Sequence, residues 1–403
     1  MQEIQVYDEE LFVGILKAFS PTYFSFSYSR EWLDSHNSFA IDPALKLTEE
    51  EQVSNILWGA FYDISPDRWG RIIQDRNNGR KLDDISYMLG VSDYFRVGSL
   101  RLKIDNTFVN NSNNIPKLLH LSILEESSLR LEKENYTDDD LRLLLESGSS
   151  LGGARPKASV IDGNTLYLAK FYSKNDEYSV ILWEKTMLDL AQIANINTAK
   201  ARIIQSSNPV LLIERFDRKD SARIPFMSAM TLLQTKDGES REKSYADLAH
   251  LLDKKNKQEL FRRMVFNCLV GNTDDHLRNH ALLYDRETKT WNLSPAYDIN
   301  PNPLPYDKQI HALNFTDSQS KASLQTCINI KESFAVDSTL CKSILQDCLR
   351  ASENYAKIAS SNGIKAQEIK YFLGNFQHKD MDMAREYICK ENAESKKRIR
   401  KYR

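Results

Sequence analysis

The sequence has no apolar run approaching the roughly 20 residues that a membrane-spanning helix needs, so no membrane segment is expected. Its opening, MQEIQVYDEELF, carries acidic residues where a secretory signal would have a basic region and an apolar stretch. Five cysteines, an odd number without any C-x-x-C, offer neither a disulfide framework nor a zinc-ligand pattern. With 54 Lys+Arg against 56 Asp+Glu, the net charge of -2 supplies no global field toward nucleic acid or anionic lipid. No fixed-period repeat is present, which excludes a solenoid or propeller. What is there is a chain of 403 residues, 41% hydrophobic and 10% aromatic, long enough for two or three domains around buried cores. We expect a soluble, cytoplasmic globular protein.

The runs QVYDEELFVGIL and TYFSFSYS alternate as strands do, whereas EEEQVSNILWGAFYDI at 49–64 reads as helical. The polar stretch 105–116 reads as a loop or linker, closing an N-terminal module of residues 1–110. From 117 to 227 the pattern is mixed: a Gly/Ser-rich turn at 147–153, strand-like TLYLAKFY, helical YSVILWEKTMLDLAQIA and strand-like NPVLLIERF. Beyond 228, to 403, it becomes helical. In ELFRRMVFNCLVG, residues Phe261, Met264, Val265, Cys268 and Leu269 form one apolar helical face, with Gly271 as the expected C-terminal cap.

Directly after that helix comes GNTDDHLRNHALLYD, then LSPAYDINPNP. Phosphoryl transfer from ATP needs a carboxylate to orient the attacking hydroxyl and oxygen ligands to hold Mg²⁺ on the phosphates. Protein kinases place an Asn five residues after the base Asp, and a further Asp downstream. Asp274, Asn279 and Asp298 repeat that order, although here His276 follows the Asp instead of preceding it. Taken singly, Asp274 and Asp275 also suit a helix cap or turn, and Asp298 a loop turn. His276 reads either as a phosphate neighbour or as a hydrogen-bonded loop residue.

Upstream, GSSLGGARPKASV offers small residues, Ser150, Gly152 and Gly153, to curl around a phosphate, with Arg155 and Lys157 as positive charge, but matches no standard phosphate-loop pattern, and a tight turn is the plain alternative. Lys170 ends an alternating strand on the same face as Leu166 and Leu168, where a kinase lysine would reach the α/β-phosphates; a solvated strand-end lysine looks the same in sequence. Glu184 on the next helix could pair with it, or be a solvated helix-face carboxylate. In LLIERFDRKD, Glu214 to Phe216 could offer backbone groups to adenine and Asp217 a carboxylate to ribose, or the segment is an ordinary strand end.

GGARPKA, LAKF, IERFDR, GNTDDHLRNHALL and SPAYDINP, in this order and with these gaps, resemble the HipA-type serine/threonine kinases, toxins of type II toxin–antitoxin systems; FSYSREWL and FYDISPDRWGR resemble that family's N-terminal part. The loop wording GGARPK and the segment AIDPALKL depart from the usual pattern. The resemblance implies an α+β, two-lobed protein-kinase-like fold, with a mixed N-lobe, an all-helical C-lobe and an extra N-terminal α/β subdomain. It implies ATP and Mg²⁺ as cofactors, Asp274 as catalytic base, Asn279 and Asp298 as metal ligands, Lys170 as phosphate-binding lysine, and Glu214, Phe216 and Asp217 as the nucleotide hinge. Ser150 matches the family's autophosphorylated loop serine, with Ser149 beside it as a second candidate. A HipB-like helix-turn-helix antitoxin, DNA contact only through that antitoxin, and a protein substrate of the translation machinery such as an aminoacyl-tRNA synthetase are implied as well.

Two other readings stay open from sequence: a catalytically silent module of the same fold that regulates with a helix-turn-helix partner, and a kinase for a small molecule or lipid. The tail KKRIRKYR could contact nucleic acid or an acidic partner, or be a solvated helix end.

Overall fold

The structure, a computed structural model, describes residues 1–111, 115–148, 153, 155–220, 222–236, 239–317 and 319–401, with side chains through 390. It divides into two compact units that interleave along the chain. Unit 1 holds 1–176, 200–236 and 281–294; unit 2 holds 177–199, 237–280 and 295–403.

Unit 1 opens on an antiparallel sheet built from β1 (Gln2–Asp8), β2 (Leu11–Ser20), β3 (Tyr23–Tyr28), β4 (Gln52–Ser54), β5 (Leu100–Ile104) and β6 (Thr107–Phe108), in the order β4-β3-β2-β1-β5-β6. The alternation seen in sequence is the physical cause: Ile4 and Val6, and Phe24 and Phe26, point into a core with Trp32, Trp58 and Phe61. Asp105 and Asn106, both with positive φ (50° and 60°), make the two-residue turn from β5 into β6. Such turns match strand twist and favour Asn and Asp. Part of the stretch expected as linker is therefore a hairpin.

The second sheet comprises β7 (Lys157–Asp162), β8 (Thr165–Lys170), β9 (Ala201–Gln205) and β10 (Pro209–Glu214), ordered β7-β8-β10-β9. Its inner face packs Ala158, Val160, Ala169, Val210 and Leu212 against Leu121, Leu124 and Leu131 of the helix Leu121–Glu132, and Leu141 and Leu144 of the helix Asp138–Glu146. A small ribbon, β11 (Arg218–Lys219) and β12 (Ala222–Arg223), follows. The unit ends with the sheet of β13 (Phe226–Ser228), β14 (Ala281–Asp285) and β15 (Thr290–Leu293).

Two sequence expectations are corrected. The stretch 49–64 is not one helix: Gln52–Ser54 pairs with Phe24–Phe26 as an edge strand, and only Gly59–Asp63 is helical. Pairing with β3 and the Gln52 carboxamide bonds to Lys46 N and O override the local helical pattern. The region beyond 228 is not all helical either, because β14 and β15 interrupt it with a hairpin that pairs with β13.

Unit 2, among its described residues, is built from helices and contains no named strand. Trp183, fully buried on the helix Val180–Ile193, packs on Phe372 with centroids 4.2 Å apart and donates from Nε1 to Glu368 at 2.9 Å. The helix Lys254–Val270 is capped by Asp253 at its start and ends at Gly271, whose φ of 69° is the left-handed C-terminal cap. Phe261, Met264, Val265, Cys268 and Leu269 are all fully buried along it, as their spacing predicts. No helix among the described residues is long and apolar enough to cross a membrane.

Candidate active site

Within unit 2, the end of the helix Lys254–Val270 leads straight into the acidic loop. Asn272 N donates back to Asn267 O at 3.0 Å, and its amide reaches Asn267 Oδ1 at 3.1 Å, so the chain leaves the helix in a fixed direction. The loop closes on itself through a one-turn 3₁₀ helix, Leu277–Asn279, in which Asn279 N donates to His276 O at 2.9 Å. Asn279 Nδ2 then donates to the backbone oxygen of Asp274 at 3.2 Å, which leaves the Asn279 carbonyl as an oxygen ligand.

The segment carrying Asp298 is sewn to the same loop by asparagines. Asn302 N donates to Gly271 O at 2.9 Å, Asn302 Nδ2 to Thr273 Oγ1 at 2.8 Å, and Asn300 N to Asn272 Oδ1 at 3.4 Å. Asp298 itself has a φ of 56°, a strained value for a residue with a side chain and one that concentrates at functional sites. The carboxylates of 274 and 298 are near enough to feel each other. Burial raises the Asp274 pKa, the His276 charge opposes, and the Asp298 and Asp275 carboxylates raise it further.

His276 is half-buried, and its Nδ1 has no hydrogen-bond partner among the described residues. Asp275 turns inward. Burial pushes its pKa up, but His280, Tyr245 and His276 more than offset this and hold it below the ordinary value.

Among the described residues, no group of three or more His, Cys, Asp or Glu side chains is arranged to hold a metal ion. Two carboxylates and one amide oxygen are what Asp274, Asp298 and Asn279 offer. That set fits Mg²⁺, which commonly takes one or two carboxylates and completes its shell with phosphate and water. A divalent cation bound there would also offset the repulsion that the Asp298 carboxylate exerts on Asp274.

Unit 1 carries the cationic candidates. Lys157, the first residue of β7, and Lys170, the last of β8, are direct cross-strand partners and are both buried. Lys157 Nζ pairs with Asp67, which also caps the helix Arg68–Asn78 by accepting from Gly70 N at 2.8 Å. Trp69 Nε1 donates to Lys157 O at 3.1 Å. Gly153 has a φ of 119°, a backbone conformation that residues with a side chain rarely adopt, and a Cβ there would stand 2.8 Å from Lys157 Nζ. Ser149, Ser150 and Gly152 lie outside the described residues.

Glu214 ends β10 half-buried and pairs with Lys200 at 3.2 Å, and Phe216 is likewise half-buried. Asp217 departs from the expected ribose role. It is 1% exposed, and its carboxylate accepts from Arg215 Nε at 2.7 Å, Arg215 Nη2 and Arg218 Nη1 at 2.6 Å each, and Gly98 N at 2.8 Å. Three of these donors converge on Oδ2 and one on Oδ1, so the carboxylate is engaged by protein groups and Asp217 ties the strand end to residues 95–98. In unit 2, Glu184 is fully buried instead of solvated.

Sequence reasoning missed Asp67, Asn272 and Asn302, and read Asp275 only as a cap or turn residue. Asp67 alone had a visible signal, standing as an N-cap residue ahead of RWGR.

The family model of the HipA-like C-terminal domain matches residues 149–356, more than half of the chain. The chain belongs to this HipA-like family. The HipA of Shewanella oneidensis MR-1, solved with HipB and operator DNA, superposes on 93% of this HipA-like chain and 95% of its own, with a TM-score of 0.66 at 15% identity. That likeness establishes the shared fold. A protein of Sinorhizobium fredii (strain NBRC 101917 / NGR234) named "Putative kinase Y4dM" is 45% identical over 69 residues, and the match spans 16% of each chain.

Proposed function

We propose that this HipA-like chain is an ATP- and Mg²⁺-dependent serine/threonine protein kinase, a toxin-type phosphotransferase held in check by a HipB-like helix-turn-helix antitoxin that makes any DNA contact. The observation that carries the reading is that the segment of Asp298 is hydrogen-bonded to the loop of Asp274, through Asn302 to Gly271 and Thr273 and through Asn300 to Asn272, with Asn279 bonded to the Asp274 backbone. Mg²⁺ and ATP, when bound, supply the transferable γ-phosphoryl group and neutralise its charge.

Asp274 orients the attacking hydroxyl and accepts its proton as the general base. Asn279 and Asp298 hold the metal. Lys170, with the backbone at Gly153, serves the phosphates, Lys157 would join it only on exchanging its Asp67 partner for a phosphate, Glu214 and Phe216 serve the adenine, and His276 stands near the phosphate path. Asp217 has no place in this set. The family fold and the HipB–operator complex of the Shewanella protein support the antitoxin partner. The acceptor is a protein of the translation machinery, such as an aminoacyl-tRNA synthetase, and the loop serine Ser150, or Ser149, is the site of self-inactivation. A phosphate placed among groups that bind phosphate repels the nucleotide.

The test is intact-mass and peptide analysis of the purified chain after incubation with ATP and Mg²⁺. The wild type gains phosphate on Ser150 or Ser149, and Asp274→Ala gains none. A wild type that stays unmodified and transfers no phosphate to translation proteins removes the proposal.

A further inference from the structure

The acidic loop carries a second aspartate whose carboxylate faces the protein interior, and nothing in the transfer reaction uses it. Asp275 is 4% exposed, and its Oδ2 accepts from three side chains on three elements. These are the Tyr245 hydroxyl on the helix Tyr245–His250, Asn267 Nδ2 at 3.0 Å on the helix Lys254–Val270, and His280 Nε2 at 2.8 Å just before β14. Asn267 Nδ2 also reaches the Tyr245 hydroxyl at 3.2 Å. Tyr245 is fully buried and His280 is 2% exposed. The backbone is held from the other side, where Leu313 N donates to Asp275 O at 3.0 Å and Ala312 N to Thr273 O at 2.8 Å.

The chain order gives this network its meaning. Asp275 directly follows Asp274, and His280 directly follows Asn279. The His280 bond to Asp275 therefore forms an inner clamp across the loop, parallel to the outer clamp of Asn279 on the Asp274 backbone. A buried, bonded charge adds little net stability over a well-packed apolar side chain, yet it fixes geometry more sharply. Catalytic groups need placement to within roughly half an ångström.

We infer that Asp275, with Tyr245, Asn267 and His280, is a positioning set that fixes the separation of the base Asp274 from the metal ligand Asn279. This rests on the phosphotransferase reading above for its catalytic consequence, though not for the clamp itself. Loosening the inner clamp leaves the side chains of Asp274 and Asn279 intact but lets the turn between them breathe. Catalytic turnover then falls while nucleotide affinity, set largely by other residues, does not.

Tyr245→Phe removes one hydroxyl and keeps the ring, and Asp275→Asn removes the charge. Two measurements on the full chain decide the matter. In hydrogen exchange without nucleotide, amides of 273–280 should exchange at least about tenfold faster in both variants while the helix Ser338–Glu353 stays within about twofold. In kinetics, kcat should fall about tenfold or more with KM for ATP changed less than about threefold. His280→Gln, which keeps a donor near Nε2, should retain more kcat than His280→Leu. Exchange in 273–280 that is unchanged, or that rises uniformly along the chain, overturns the clamp. Should Asp275→Asn fail to fold, Tyr245→Phe alone decides by the same criteria. A kcat within twofold of wild type, or a loss lying wholly in KM, overturns the positioning role. A wild type that transfers no phosphate would sink the kinase reading instead, and hydrogen exchange would still judge the clamp.

Discussion

Replacing Asp217 with asparagine tests the structural role assigned to that residue. The carboxylate pairs with both Arg215 and Arg218 at a site 1% exposed and accepts four hydrogen bonds, one of them from Gly98 N. Asparagine keeps the shape but offers one acceptor oxygen and turns an NH₂ group toward guanidinium donors. Removing one partner from a buried charge network costs about 3–5 kcal/mol because the remaining charge is left without compensation. With a urea dependence of roughly 3 kcal/mol/M, the unfolding midpoint should fall by about 1 M or more. Four of the five tryptophans, Trp32, Trp58, Trp69 and Trp291, lie in unit 1, so intrinsic fluorescence reports on the right part of the chain. Adding Arg218→Met to Asp217→Asn should recover part of the loss, since it removes a stranded charge. The pH dependence has a definite sign. Burial raises the Asp217 pKa, but the two arginines and Gly98 N–H lower it more, leaving it depressed in the folded state. Its contribution is thus full above the unfolded carboxyl value near ~4 and lost as pH falls below that, so wild type and variant should converge in acid. A midpoint within about 0.3 M of wild type at neutral pH, less than about 1 kcal/mol, would refute the reasoning.

Burial lowers the pKa of the fully buried His311 to about 4, with Asp275 opposing. The unfolded histidine takes a proton near ~6.5 while the folded one stays neutral, so this residue's contribution should cost about 3 kcal/mol of stability between pH ~6.5 and ~4; the difference in urea midpoint between wild type and His311→Leu, plotted against pH, should show that change. Gly271→Ala should destabilise by roughly 2–4 kcal/mol in thermal unfolding, because alanine resists positive φ and overpacking adds strain: φ is 69° and a Cβ would lie 2.4 Å from Asn375 Nδ2. A loss under about 0.5 kcal/mol would show that the helix end relaxes freely.

Much of the frame could be read before folding. Alternation marked β1 to β3, β8 and β10, and helical spacing marked the buried face of Lys254–Val270 and its glycine cap. The order of Asp274, Asn279 and Asp298 was visible because their spacing is local to two short segments. What escaped was set by distant partners. The edge strand at Gln52–Ser54 exists because β3 offers it a ladder. Asp217 looked like a ribose ligand until Gly98, 119 residues away, claimed one of its oxygens. Lys157 is neutralised by Asp67 from 90 residues away. Asp274 and Asp275 are indistinguishable as letters, and only the hydroxyl, amide and imidazole waiting inside for the second set the buried, bonded carboxylate apart from its exposed neighbour.

The most direct measurement is the rate of γ-phosphate transfer by Asp274→Ala, Asp298→Asn and the double variant, each at saturating ATP and Mg²⁺. If both carboxylates serve one reacting phosphoryl group, each single change costs on the order of 10³-fold and the double costs little more than the worse single, because members of one catalytic unit are not additive. A single variant that keeps wild-type turnover, or losses that multiply in the double, would contradict the account.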